Sequence, residues 1–516
     1  MSAVVGAVVA HEKSDQFDWG SVQKFFRTAS VALAVITVVA HAWISDDALI
    51  TLRSVTNALV GNGPAFNAAE MVQSYTHPLW FLLLVGLNSA VLAPVHWAVF
   101  LGVVLSIGTI LLLVRAAGHD AMLAGALVLT VASLPAFVEW ATGGLENSLA
   151  MFLVAALALA TLRTSGSTRP ILTGLLLAAL VLTRFDLALI GMPLVTAWAW
   201  SRRPREIVLA GFAASIPVAS WIVWARSTYG FILPNTFYAK LNVEIPTAEL
   251  LLQGISYLRL SLARHPLLTM LLVLAFVVLA RRRGALGLAS KAAVLGAISL
   301  YLVYVVRIGG DFMEGRFFGV VVVLALVGVA VDVRPQSAES VPARGSGARE
   351  LSGVLIAAVL VALIARSPVP WQSEGLDGER WAIGASGYGL IADERGFYVN
   401  MGQSFWTSQE TRRMDEAFRS FSRVDGLPVD VMVTCGGLGR AGMEAGPSVH
   451  IVDRCALTDP VLARIPYRER AFDWRVGHYP RPIPEGYLAA IGAADPSLIE
   501  DPSIRALAEE LWRVVR

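Results

Sequence analysis

Long apolar runs, separated by short polar and basic stretches, dominate the pattern of this chain and predict helices. Runs near the ~20 residues needed to cross ~30 Å of hydrocarbon fall at 25–44, 95–115, 120–138, 148–162, 170–184, 187–201, 206–226, 265–281, 289–307, 316–333 and 351–366. Lys13, Lys24 and Arg27 lie before or at the opening of the first run. Arg163 and Arg169, Arg202, Arg203 and Arg205, Arg281 to Arg283, and Arg334, Arg344 and Arg349 fill four later loops. With the N-terminus inside, all of these are cytoplasmic, as positively charged short loops should be. That parity needs 78–92, bounded by Pro78 and Pro94, to lie along the interface rather than cross it. Residues 1–24 are mixed, and no small-residue cleavage site follows the first apolar stretch, so no cleavable signal peptide is expected.

The pattern changes after Arg366. Charges, prolines and turn signals such as Asp425-Gly426 and Cys435-Gly436-Gly437 become frequent. Residues 1–366 therefore read as a transmembrane domain and 367–516 as a soluble domain of about 150 residues, placed outside by an odd number of spans. Val429–Val433 and Val449–Asp453 read as short strands and the tail from Ser503 as a helix, a mixed α/β fold. Residues 334–350, rich in Pro, Ser, Gly and Arg, read as a cytoplasmic linker. The predicted fold is an all-α membrane bundle of about eleven helices carrying that outer domain. Composition agrees: of 516 residues, 56% are hydrophobic and 16% charged, against about 25% charged in soluble proteins. A net charge of +2 gives no sign of nucleic-acid binding. The two cysteines, Cys435 and Cys455, both lie in the outer part. They either pair, as an oxidising compartment permits, or stay as buried thiols.

Polar residues gather at the outer ends of the runs. Asp46 and Asp47 follow the first, with Arg53, Glu70, Gln73, Tyr75 and His77 in the same loop. Glu139 and Glu146 follow the third, then Arg184 and Asp186, then Asn235, Tyr238 and Lys240, and last Asp311, Glu314 and Arg316. Carboxylates beside a bilayer are costly and mark functional sites. Each also has a plainer reading. Asp46 can cap a helix starting near Ala48, Arg184 and Asp186 can be a structural ion pair, Lys240 can snorkel to headgroups, and Glu146 can be a first-turn acid. Their shared side favours one site for sugar transfer from a lipid phosphate. A carboxylate takes the proton of an acceptor hydroxyl, and Arg or Lys stabilises the departing phosphate. On that reading Asp46, Asp47, Glu146 and His77 are catalytic candidates. Lys240, Arg184, Arg316, Asn235 and Tyr238 hold the donor phosphate. Trp474 and Asp311 bind acceptor, with Trp371, Trp381 and Trp406 as further flat faces for sugar rings. No HExxH, CxxC or Walker pattern stands in a fitting context.

Asp46-Asp47-Ala48-Leu49-Ile50 and Ser74-Tyr75-Thr76-His77-Pro78-Leu79-Trp80 resemble the GT-C superfamily of polyprenyl-phosphate-sugar glycosyltransferases. Leu233–Lys240, Gly309–Met313, Ala456–Arg464 and Trp474–His478 narrow the resemblance to AftB-type terminal arabinofuranosyltransferases. One departure is Cys455-Ala456, where the family has Gly before Leu-Thr-Asp. The resemblance implies decaprenyl-phosphoryl-arabinofuranose as donor, an inverting single displacement with Asp46 or Asp47 as base, and a cell-envelope arabinan acceptor. It implies an integral plasma-membrane protein with site and soluble domain extracytoplasmic. No cofactor is expected to be obligatory, although paired carboxylates are also able to hold a divalent cation. A transferase using another pentose or acceptor, a lipid transporter and a non-catalytic envelope assembly protein stay open.

Overall fold

The computed structural model describes residues 18–87, 93–162, 169–334, 346–364, 382–386, 389–399, 422–424, 426–468 and 475–516. Each predicted apolar run forms a helix. In chain order the helices are α1 (Trp19–Ala40), α2 (Asp46–Leu59), α3 (Pro78–Leu87), α4 (Pro94–Ala117), α5 (Ala121–Ala132), α6 (Pro135–Val138), α7 (Asn147–Leu162) and α8 (Pro170–Thr183). They continue as α9 (Ala188–Ala199), α10 (Pro204–Tyr229), α11 (Asn235–Leu241), α12 (Thr247–Arg264), α13 (Pro266–Ala280), α14 (Leu288–Arg307), α15 (Phe318–Asp332) and α16 (Ser346–Ile364). By length and composition, α1, α4, α10 and α14 suffice to cross a membrane. Two bent pairs bring the number to six: Ala121–Ala132 with Pro135–Ala141 at 80°, and α12 with α13 at 101°. Both bends fall where a proline forces the preceding residue, Leu134 or His265, out of helical conformation. This is a helical membrane protein.

Burial separates the helices. All of α15 and nearly all of α7 are buried, as expected of helices that are apolar all round. In α10 only Ala210, Trp221, Ala225 and Tyr229 are buried. Its exposed Phe212, Ile216 and Val223 present an apolar face suited to lipid.

Beyond the bundle, β1 (Ala382–Ser386) pairs antiparallel with β2 (Gly389–Ala392), which leads into α17 (Glu394–Tyr398). A second sheet has the order β3 (Ser422–Val424), β4 (Val431–Thr434), β5 (His450–Asp453). Its first pair is antiparallel and its second parallel, joined through α18 (Leu438–Ala445). Helices α19 (Tyr487–Ala493) and α20 (Pro502–Val515) follow. The expected strands and terminal helix are thus present. Cys435 and Cys455, just past the ends of the paired β4 and β5, form a disulfide with Cα atoms 4.9 Å apart, inside the range that bridging requires. Ala456, at the position where a glycine was expected, has φ +63°, a conformation that favours glycine.

The composition change near 366 lies outside the described residues. The two parts share a core, because Ile50, Phe66, Val72 and Ala239 pack with Val431, Ile451, Leu462 and Trp512. The seam is held by polar groups as well. Buried Arg53 on α2 donates Nε to the Phe66 carbonyl at 2.7 Å and Nη2 to the Val449 carbonyl at 2.8 Å, and its Nη1 bonds the Gly442 carbonyl.

Candidate functional site

Two helix starts set the centre of the site. Glu146 immediately precedes α7, and Arg316 lies two residues before α15. Both helices are locked in the core, so these side chains emerge from fixed points. The loop before Glu146 packs tightly on α2. A Cβ on Gly144 (φ +79°) would come within 2.1 Å of Ile44 Cδ1 and 2.8 Å of Ala48 Cβ. The Ser45 amide and hydroxyl both donate to the Gly143 carbonyl at 3.0 Å. Asp46-Asp47 is thereby tied to Glu146.

Glu146 is fully buried and is the hub of an ionic network. Its Oε2 is 3.0 Å from His77 Nδ1, and its Oε1 is 3.2 Å from Arg184 Nη1 and 3.4 Å from Arg316 Nη2. Burial alone would raise its pKa, but His77, Arg316 and Arg184 overcome that and hold it well below the usual carboxylate range. His77 Nε2 is 2.8 Å from Thr51 Oγ1, which orients the ring. Arg184 also forks onto Asp186 at 3.0 and 2.9 Å. Arg316 Nη1 reaches Asp311 Oδ2 at 3.5 Å and Asp47 Oδ2 at 3.9 Å. Burial raises the pKa of Asp311.

The Asp-Asp pair divides. Asp46 is 7% exposed. Its two oxygens accept the amide hydrogens of Gly439 at 3.0 Å and Arg440 at 2.8 Å, at the start of α18, where a helix offers free N–H groups and favours negative charge. A Cβ on Gly439 would lie 1.9 Å from the Asp46 carbonyl, so only glycine permits this approach. The capping role at α2 belongs to Ser45, whose hydroxyl accepts from the Ala48 amide at 3.2 Å. The Asp47 side chain is 22% exposed and faces Arg316.

Helix α11 also divides its candidates. Asn235 donates to the carbonyls of Ala456, Leu457 and Asp459 and accepts from Arg464. Tyr238, three residues on and on the same face, lies under the Arg464 guanidinium, 4.3 Å from its ring centre. These two are engaged at the seam and are not brought to the network. Lys240 projects from the other face. It is exposed, but the protein packed around it partly desolvates the ammonium. That desolvation lowers its pKa, against the pull of Asp311 and Asp47. Trp474, with Trp371, Trp381 and Trp406, lies outside the described residues.

The C-terminal part contributes groups that sequence reasoning missed. A turn with Gly477 at its tip (φ +84°) sits on Lys240: a Cβ there would be 3.1 Å from Lys240 Cε. Beside it the Arg475 guanidinium lies 4.7 Å from the Phe312 ring centre, and the His478 ring meets Phe312 edge-on at 4.5 Å. Burial, then Arg475 and Lys240, push His478 well below the usual imidazole pKa, so it is neutral. Glu394, at the start of α17, is buried near Arg475, Asp47, Asp46 and Asp311, and burial pushes its carboxyl up to about 8. The only sequence signal for any of these was the Trp474–His478 stretch. Among the described residues no cluster of three or more His, Cys, Asp or Glu is placed to hold a metal ion.

The arrangement offers a carboxylate beside a row of cations, with one face made by the C-terminal part. No family model matches the chain. It is similar to the terminal beta-(1->2)-arabinofuranosyltransferase of Mycobacterium tuberculosis, 26% identical over 87% of this chain and 82% of that protein. It is also similar to the terminal beta-(1->2)-arabinofuranosyltransferase of Corynebacterium glutamicum, 30% identical over 53% of this chain and 46% of that protein. The resemblance drawn from the sequence motifs is borne out by these two relatives.

Proposed function

We propose that the chain is an inverting membrane glycosyltransferase that moves arabinofuranose from decaprenyl-phosphoryl-arabinose to a cell-envelope arabinan. The glycosyltransferase class rests on the two relatives, which carry that activity in their names. The observation that carries the site assignment is the division of the Asp-Asp pair. Asp46 is occupied by α18, whereas Asp47 is open and faces Arg316. Asp47 is then the base. It takes the proton of the acceptor hydroxyl as that oxygen bonds the anomeric carbon, and the bond to phosphate breaks with its electron pair leaving on phosphate. Arg316, Arg184 and Lys240 meet the growing phosphate charge, the arginines as forks and Lys240 as a point charge. With those cations in place, transfer needs no obligatory metal. Glu146 and His77 hold the arginines and orient the wall, and Asp311 faces the acceptor.

The reading places the protein in the plasma membrane with about eleven membrane helices, the shorter apolar ones included. The site and residues 367–516 lie outside. The Cys435–Cys455 bond supports that side, since disulfides persist in oxidising compartments. The donor tail stays in lipid, so the outer part serves as the platform for the acceptor. The test is transfer of labelled arabinofuranose from its polyprenyl-phosphate donor to an arabinofuranoside oligomer by the purified full chain, with the new linkage read by NMR. Transfer with inversion is expected. Retention would recast Asp47 as a nucleophile, and transfer of a different pentose in preference would replace the donor.

A further inference from the structure

Glu394 is only 6% exposed, and its carboxyl has no hydrogen-bond partner among the described residues. Its oxygens are not among the fully enclosed polar atoms, so they reach open space that a hydroxyl group can enter. Its position is well fixed. Two residues earlier, the Ala392 amide donates to the Phe312 carbonyl at 2.7 Å and the Ala392 carbonyl accepts from the Glu314 amide at 3.0 Å. This joins β2 to the loop that carries Asp311 and Arg316. One residue later, Arg395 Nε reaches the His41 carbonyl at 3.4 Å, at the end of α1, on the segment leading to Asp46-Asp47. Glu394 is therefore bracketed by the two stretches that carry Asp47 and Asp311. It approaches from the outer part, the side from which an acceptor enters.

We propose that Glu394 is an acceptor-binding residue of this site, its carboxyl holding a hydroxyl of the incoming sugar beside Asp47. The proposal rests on the glycosyltransferase reading above and adds a residue that the motifs did not indicate. The groups around it are Arg475 from the 475–478 turn, Asp46 and Asp47 from α2, Asp311 from the loop before α15, and Tyr398, Asp393 and Arg395 from its own segment. Burial, with the nearby carboxylates, outweighs the pull of Arg475, so Glu394 is protonated below pH 8 and offers an O–H to the sugar. As the pH rises through 8 it ionises beside Asp47, and that hydrogen bond is lost.

The experiment measures kcat and KM for both substrates across pH 6–9.5, with polyprenyl-phosphoryl-arabinofuranose and a synthetic arabinofuranoside oligomer. The full-length proteins are wild type, Glu394→Gln and Glu394→Ala. Glu394→Ala should raise the acceptor KM about tenfold, the worth of one good hydrogen bond, with donor KM unchanged. Glu394→Gln, which keeps a neutral donor, should stay within about threefold of wild type at pH 7 and lose the rise in acceptor KM above pH 8. An unchanged acceptor KM in Glu394→Ala, or an alkaline limb that persists in Glu394→Gln, overturns the proposal and leaves the parent reading intact. Absence of transfer by wild type overturns both.

Discussion

The two halves of the site handle charge in different ways. On the bundle side, charges meet charges: Glu146 faces His77, Arg184 and Arg316, and Arg316 faces Asp311 and Asp47. At the seam with the C-terminal part, apart from the Glu70–Arg516 ion pair at 2.8 Å, most charged and amide side chains meet backbone. Asp46 takes two amides, Arg53 and Asn235 each donate to three carbonyls, and Asp453 accepts the amides of Cys455, Leu457 and Thr458. Arg481 likewise donates to the carbonyls of Ile465, Tyr479 and Ala239. Backbone partners cannot titrate or swing away, so the seam fixes geometry. Side-chain partners can rearrange, so the ionic half can respond to a charge brought into it. The seam is thus a device for holding Asp47, Glu394 and Arg475 in register, and a substitution there should act through assembly rather than chemistry.

The largest effect expected from this contrast is at Arg53. Arg53→Met keeps much of the apolar stem and leaves the carbonyls of Phe66, Gly442 and Val449 without their donor. A loss of roughly 3 kcal/mol or more is expected, from three carbonyls at ~1–3 kcal/mol for each unsatisfied buried group. It should read as a clear fall in the thermal unfolding midpoint of purified protein, with normal donor KM in whatever stays folded. A stable Arg53→Met protein with weakened donor binding would place Arg53 in the ionic half instead.

A smaller effect is expected at Lys240, on the responsive side. Lys240→Ala should raise donor KM about tenfold and lower kcat by a similar factor, because phosphate charge grows as the bond breaks, while the unfolding midpoint stays close to wild type. An unchanged donor dependence would pass the phosphate to Arg184 and Arg316. The smallest effect is at Ala456 in the seam. Its φ of +63° costs an ordinary residue ~1–2 kcal/mol, offset in part by the extra chain entropy of glycine. Ala456→Gly should stabilise by about 0.5–1 kcal/mol without changing kinetics. Destabilisation would mean that the Ala456 methyl packs better than its backbone is strained.

Legibility in the sequence follows the range of the interactions. The membrane helices were readable because apolar runs are local, and each predicted run coincides with a helix. Helix α12 was not anticipated: it is amphipathic, with Gln253, Arg259 and Arg264 among its leucines, and so shows no long apolar run. Glu146, His77, Arg184, Arg316, Lys240, Asp47 and Asp311 stood out as polar residues at the ends of such runs, and the fold gathers them. Asn235 and Tyr238 are adjacent in sequence to Lys240 but face the seam. The face of α11 that turns outward is decided by carbonyls at 456–459, more than 200 residues away. For the same reason the different fates of Asp46 and Asp47 could not be read from two identical neighbours. Glu394, Arg475 and His478 lie in a segment of ordinary soluble composition, and only long-range packing brings them to Asp47.

The division of labour between Asp46 and Asp47 is the central claim, and single-turnover transfer of arabinofuranose by Asp46→Asn and Asp47→Asn, beside their unfolding midpoints, tests it most directly. Asp47→Asn should lose about 10²–10⁴ in the chemical step, the usual share of a general base, with wild-type stability and donor binding. Asp46→Asn should lose far less in chemistry while altering the unfolding midpoint, since the amide keeps one acceptor for the amides of Gly439 and Arg440. The reverse pattern, with Asp46→Asn inactive but stable and Asp47→Asn within a few-fold of wild type, would contradict the account.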